Sequence, residues 1–244
     1  MHPVFVVLLS AWLLGGCTSS PSDPSGIWIN QAAIDAATEG GNLREALLAY
    51  GPNLEWQIDS QRRLASVSNG FELGEGQLQG TDAGHFRVDF YGDYQEYLDL
   101  EAAELVQVAS ANWPEQRFVQ PTEAVAAGAP PGSSFEQALY RAYLGGTWTI
   151  LQGVGEGGLV RFKPDGQLQG LPGAERYALC LAGDCAAMGG ESDSLWLQLG
   201  EQGNVWLFER DGEQLRIFAA RNTAQVDEMP NYRKGPQRWL LERD

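Results

Sequence analysis

Cys180 and Cys185, separated by Leu181-Ala182-Gly183-Asp184, are the first residues of this chain whose chemistry can be named. In an oxidising compartment such an even pair closes a disulfide. The four residues between them read as a hairpin loop, and a bond across its mouth is geometrically sound. The loop is short, so the constraint it places on the unfolded chain is modest. Half of a zinc site has the same spacing, but His85 is the one histidine besides His2, and no second Cys or His pair completes a tetrahedral set. No metal or cofactor is therefore expected. For acid–base chemistry the candidates are His85, which opens a strand after Gly84, and the carboxylate pairs Asp89 with Asp93 and Asp99 with Glu101. Paired carboxylates could serve a hydrolase acting on an envelope polymer, but only if they face each other across a groove. An acidic chain places such pairs close together without purpose. Gly153-Val154-Gly155-Glu156-Gly157-Gly158 lacks the Lys-Ser/Thr ending of a phosphate loop and reads as a turn between strands. No catalytic residue is assigned, and the chain is expected not to be an enzyme.

The third cysteine has a different setting. An apolar run from Val4 to Leu14 ends in Leu14-Gly15-Gly16-Cys17. The run is too short to span a membrane and has the length of a signal-peptide core, although no Lys or Arg precedes it. A buried strand ending in a structural cysteine is the competing reading. The linker composition of Thr18-Ser19-Ser20-Pro21-Ser22-Asp23-Pro24-Ser25 argues against it. The stretch resembles a bacterial lipobox. That resemblance implies that residues 1–16 are cut off, that Cys17 receives a diacylglycerol thioether and a further acyl chain such as palmitate, and that residues 17–25 form a tether. Thr18, rather than Asp, after the cysteine implies the outer membrane, with the folded part facing the periplasm. Several acyl chains together anchor far more firmly than one.

The 244 residues carry a net charge of −16, which repels nucleic acid and anionic headgroups, so no nucleic-acid partner is expected. With 43% apolar residues and eight tryptophans the chain has ample material for a core. Gly-Gln-Leu-Gln-Gly occurs at Gly76–Gly80 and again at Gly166–Gly170. Its flanks agree at nearly the same offset. Trp56-Gln57-Ile58 faces Trp148-Thr149-Ile150, Phe86-Arg87-Val88 faces Tyr177-Ala178-Leu179, Gly92-Asp93 faces Gly183-Asp184, and Leu105–Val108 faces Trp196–Leu199. This spacing predicts an internal duplication.

Each copy is expected to open with a helix. Asn42 with Glu45, and Ser134 with Gln137, have capping-box spacing, followed by apolar faces of Leu43, Ala46, Leu47 and Tyr50, and of Phe135, Ala138, Leu139 and Ala142. After each helix the apolar period falls to two, which predicts short antiparallel strands. The first copy should carry strands at 54–59, 64–68, 76–79, 85–91, 104–109 and 117–120, and the second a meander from Thr147 to Glu242 with a hairpin at Asp211-Gly212. Ile27–Ala37 reads as an extra strand and short helix packing on the first copy. The expected fold class is α+β, mainly antiparallel β, in two tandem modules at residues 26–120 and 134–244, each a helix plus a bent sheet or small barrel. Residues 121–133, rich in Ala, Gly and Pro, link them.

Gly146-Thr147-Trp148 is similar to the Gly-x-Trp that opens the first strand of lipocalins, where the Trp closes one end of a barrel. Phe162-Lys163-Pro164-Asp165-Gly166 resembles the small β-domains of META-type envelope proteins, whose Gly-Cys-Asn signature is absent here. No binding residue carries over from either. The functional expectation is a lipid-anchored envelope protein that binds a protein partner or an apolar ligand. The alternatives are the carboxylate hydrolase and a structural spacer. A binding module should show an aromatic-lined cleft without clustered titratable groups.

Overall fold

The computed structural model describes residues 23–111 and 113–244; the leader, Cys17 and the start of the tether lie outside them. Among the described residues no helix is long and apolar enough to cross a membrane. The chain folds as two antiparallel sheets of eight strands each, with helices between them.

The first sheet is a closed barrel in which every strand pairs with its neighbour in sequence: β1 (Gly26–Ile29), β2 (Glu55–Asp59), β3 (Leu64–Ser68), β4 (Leu73–Asp82), β5 (His85–Asp89), β6 (Gln95–Glu101), β7 (Glu104–Gln107) and β8 (Gln116–Val119). β1 closes it, pairing with β2 through Trp28↔Trp56 and with β8 through Ile29↔Val119. Alternation decides what fills the interior. Trp56 and Ile58, Phe86 and Val88, then Leu98, Leu105 and Phe118 form one buried cluster. β6 was not anticipated from the sequence. Its inward positions are Glu96 and Leu98 with Gln95 and Tyr97 exposed, so an inward carboxylate interrupts the apolar alternation that reveals a strand.

The second sheet comprises β9 (Gly146–Gly153), β10 (Leu159–Phe162), β11 (Leu168–Gln169), β12 (Arg176–Leu179), β13 (Asp193–Leu199), β14 (Gln202–Asp211), β15 (Gln214–Asn222) and β16 (Tyr232–Arg243). Its order is β11-β10-β9-β16-β15-β14-β13-β12, and the edge strands β11 and β12 meet through the single bridge Gln167↔Arg176. The seat between first and last meander strands is therefore filled differently in the two sheets. β1, from the start of the chain, sits between β2 and β8, whereas β16, from its end, sits between β9 and β15.

The helices are α1 (Gln31–Glu39), α2 (Leu43–Leu48), α3 (Ser133–Tyr143) and α4 (Gly183–Gly189). α1 does not simply pack on the first sheet, as the sequence suggested. Ala33, Ile34 and Ala37 of α1, with Leu43 and Leu47 of α2, join Phe135, Leu139 and Tyr143 of α3 in the same core as Trp148, Phe162 and Phe208 of the second sheet. The Asn42 cap forms as expected, its side chain accepting from the Glu45 N–H. Tyr50, expected on the same face, falls past the end of α2 and is exposed. The Ser134 cap does not form. The helix begins two residues earlier than a Ser134 cap would set it, with Gly132 at its cap in the left-handed region at φ 94°, and no side chain of its own supplies the acceptor. Glu55 on β2 does so instead, accepting from the N–H groups of Gly132 and Phe135, both at 2.8 Å.

Candidate functional site

An aromatic-lined cleft opens at one end of the first barrel and has a volume of about 420 Å³, within the range of small-molecule sites. A chain of aromatic rings leads from the barrel interior to its rim. Trp56 lies 6.2 Å from Phe90, and Phe90 lies 5.4 Å from Tyr94, both as tilted ring pairs. Trp113, 40% exposed on the connection between β7 and β8, donates its indole N–H to the Tyr94 hydroxyl at 3.0 Å. The Tyr94 hydroxyl in turn donates to Oε1 of Glu96. Burial, and secondly the Glu96 carboxylate, push the Tyr94 phenol up to about 12. The phenol is thus a fixed donor throughout the physiological range.

Local sequence explains these positions. Phe90 leaves β5 and Tyr94 enters β6 around the Gly92 turn. The alternation of β6 then sends Glu96 inward, where it is only 2% exposed. Gly74 on β4 makes room for the Phe90 ring, since a Cβ there would stand 3.2 Å from both that ring and Val67. Pro52, Val67 and Asn69 complete the walls, with Glu72 at the β3–β4 turn. Among the described residues no Lys, Arg or His lines the cleft.

Two polar atoms at this end of the barrel have no hydrogen-bond partner: Oε2 of Glu96 and Nε2 of Gln107. Gln107 is fully buried, and its Oε1 accepts from Asn53 at 2.8 Å and from the Trp56 indole at 3.3 Å. Gln107 belongs to the floor beneath the cleft and not to its walls. A buried carboxylate oxygen left unpaired is costly, which makes Glu96 the most informative side chain at the mouth.

The rim is braced from the second sheet. A Cβ on Gly183, where α4 begins, would meet the Phe71 ring at 2.1 Å, and one on Gly70 would meet Leu181 at 3.0 Å. The β3–β4 turn therefore rests against the loop closed by Cys180 and Cys185. That disulfide is formed, with Cα atoms 5.8 Å apart. The loop is not a hairpin, as its sequence suggested. Gly183 lies at φ 63° and starts α4, so the bond joins the end of β12 to the first turn of a helix.

The other residues singled out by the sequence lie elsewhere. His85 and Asp99 form an exposed cross-strand pair, Nδ1 to Oδ1 2.6 Å, on the outside of β5 and β6. The Asp99 hydrogen bond and charge raise the imidazole above its ordinary value. Asp89 pairs with Arg87 and Glu101 with Arg117. Among the described residues no group of three or more His, Cys, Asp or Glu side chains could hold a metal ion. Phe90, Tyr94, Glu96 and Trp113 were not singled out by the sequence. The available signal was a glutamate in the place that the parity of Leu98 marks as inward. No family model, curated protein or solved structure matches the chain.

Proposed function

We propose that this chain is a lipid-anchored envelope protein that acts as a non-enzymatic binding module, its ligand seated at the mouth of the first barrel. The lipobox-like leader supports acylation at Cys17 and attachment to the outer membrane facing the periplasm. The disulfide agrees with an oxidising compartment. The observation that carries the binding reading is the aromatic ladder from buried Trp56 to half-exposed Trp113, ending beside an unsatisfied carboxylate. Its polar groups are few and fixed, as a recognition site requires.

We also read the two sheets as copies of one unit. Trp56 and Trp148 are both fully buried on the strands that follow α2 and α3, and Leu78 and Leu168 occupy inward places on the third strand in the chain order β2-β3-β4 and β9-β10-β11. The same count sets β6, and not β7, opposite β13. On this reading the modules are residues 26–120 and 134–244, with the closing strand donated from opposite ends of the chain.

Two experiments test the proposal. Membrane fractionation should find the wild-type chain in outer membranes and Cys17→Ala released; a variant that stays membrane-bound overturns the anchor. A screen of small apolar compounds by tryptophan fluorescence should give saturable shifts in the full-length protein that vanish in Trp113→Phe. A screen without a saturable, Trp113-dependent shift overturns the binding site.

A further inference from the structure

The geometry points to a primary alkylammonium as the ligand of the first-barrel mouth, its nitrogen donating to Oε2 of Glu96 and its stem lying along Phe90, Tyr94 and Trp113. This inference rests on the reading of the mouth as a binding site and names the chemistry of its occupant.

Four observations narrow the class. Glu96 is almost wholly buried, with one oxygen engaged by Tyr94 and the other without a donor. A cation carrying N–H groups supplies both the missing hydrogen bond and the missing counter-charge, and such charge-assisted bonds are the strong ones. The walls hold a second carboxylate, Glu72, and, among the described residues, no basic one, so anions are repelled. Three aromatic side chains line the route to Glu96, and their faces attract cations.

The alternatives within cationic chemistry fit less well. A guanidinium favours two parallel bonds across both oxygens of a carboxylate, and here it would have to share Oε1 with Tyr94, whereas a single ammonium uses Oε2 alone. A quaternary ammonium has aromatic attraction and no N–H to give. A metal ion needs several ligands, and no cluster of three among the described residues provides them. A single ammonium on a flexible apolar stem meets these requirements: the head needs only Oε2, a buried oxygen that the Glu96 carboxylate must turn toward the cleft to offer, and the methylenes lie along Phe90, Tyr94 and Trp113.

The test compares n-butylammonium with butan-1-ol, which share a stem and differ in the head group. Each is titrated calorimetrically into the detergent-solubilised full-length protein, with protein-free micelles as the blank. The ammonium should bind roughly ten- to a hundredfold more tightly than the alcohol, the size expected for a hydrogen bond to a charged group. Glu96→Gln should erase that preference. Trp113→Ala, at a half-exposed position that does not support the core, should weaken the ammonium several-fold and serves as the second variant should Glu96→Gln fail to fold. Equal binding of the two probes to wild type, or an ammonium preference that survives Glu96→Gln, overturns the ammonium assignment while leaving the mouth a binding site. Absence of saturable binding for either probe, together with a negative fluorescence screen, overturns the binding reading itself.

Discussion

Glu55 and Asp193 hold the two halves of the molecule together by the same device in opposite directions. Glu55 on β2 reaches the start of α3, which leads into the second sheet, and accepts from two backbone N–H groups. Asp193 on β13 reaches the start of α2, which leads into β2, and accepts from Leu43 N–H at 2.6 Å and Arg44 N–H at 3.3 Å. Arg44 tightens the second joint through its ion pair with Asp193 at 3.6 Å and its bonds to the carbonyls of Ala186 and Ser192. Each buried carboxylate satisfies orphan donors that its own strand does not contain.

Removing either carboxylate strands those donors. Asp193→Ala also leaves Arg44 without its charge partner and should cost about 3–5 kcal/mol in urea unfolding. Glu55→Ala should cost about 2–4 kcal/mol, from two buried N–H groups left unpaired. The connection at 120–132 should also become more sensitive to limited proteolysis in Glu55→Ala, because the helix that follows is no longer pinned to the barrel that precedes it.

How far these joints could be read in advance depends on distance along the chain. The Asn42 cap was legible because donor and acceptor lie three residues apart. The α3 cap was not, because Glu55 and Phe135 are 80 residues apart, and Ser134 had the right type in the wrong place. Strand periodicity was legible wherever inward positions were apolar and failed at β6, where Glu96 takes one of them. The repeated pentapeptide shows the limit of local identity. Gly76 and Gly80 lie within the extended strand β4, whereas Gly166 and Gly170 lie at φ 78° and 86° in turns flanking β11. The site was hidden for a related reason: its rings come from β2 and from two separate connections, β5–β6 and β7–β8, that only barrel closure brings together.

Glu136 on α3 should show a pH-dependent penalty. Burial, then the neighbouring Glu55 carboxylate, raise its pKa above the ordinary 4.5. The folded protein therefore binds this proton more tightly than the unfolded chain, and stability is lost as pH rises from the unfolded value through the raised one. Glu136→Gln should raise the Tm at pH 7, with the gain shrinking to nothing below pH of about 4. A gain of equal size at both pH values would place its cause in packing instead.

The disulfide should contribute modestly to global stability. It closes a loop of five-residue separation, for which chain entropy gives about 2 kcal/mol. Peptide mapping without reductant should recover Cys180 joined to Cys185, and Cys180→Ser with Cys185→Ser should lower stability by about that amount. Gly183→Ala should cost more than its surface position suggests, because its Cβ would enter the Phe71 ring and its φ is positive. Hydrogen exchange in either variant should rise selectively in the β3–β4 turn at the rim of the mouth.

His85 provides a direct check on the outer face of the barrel. Its imidazole should titrate above the ordinary 6.5 by proton NMR, and Asp99→Asn should return it towards that value, since the Asp99 hydrogen bond is the largest cause of the shift.

The closing strand has a consequence for the order in which the molecule folds. The first barrel has all of its strands within residues 26–119, so β8 can pair with β1 without any strand of the second sheet. The second sheet lacks the strand between β9 and β15 until β16, the last strand in chain order among the described residues, is in place. Until then α1 and α2 lack the surface on which their greasy sides come to rest. Chain order thus lets the first barrel close on its own strands, while the second sheet, with the helices that depend on it, waits for its last strand.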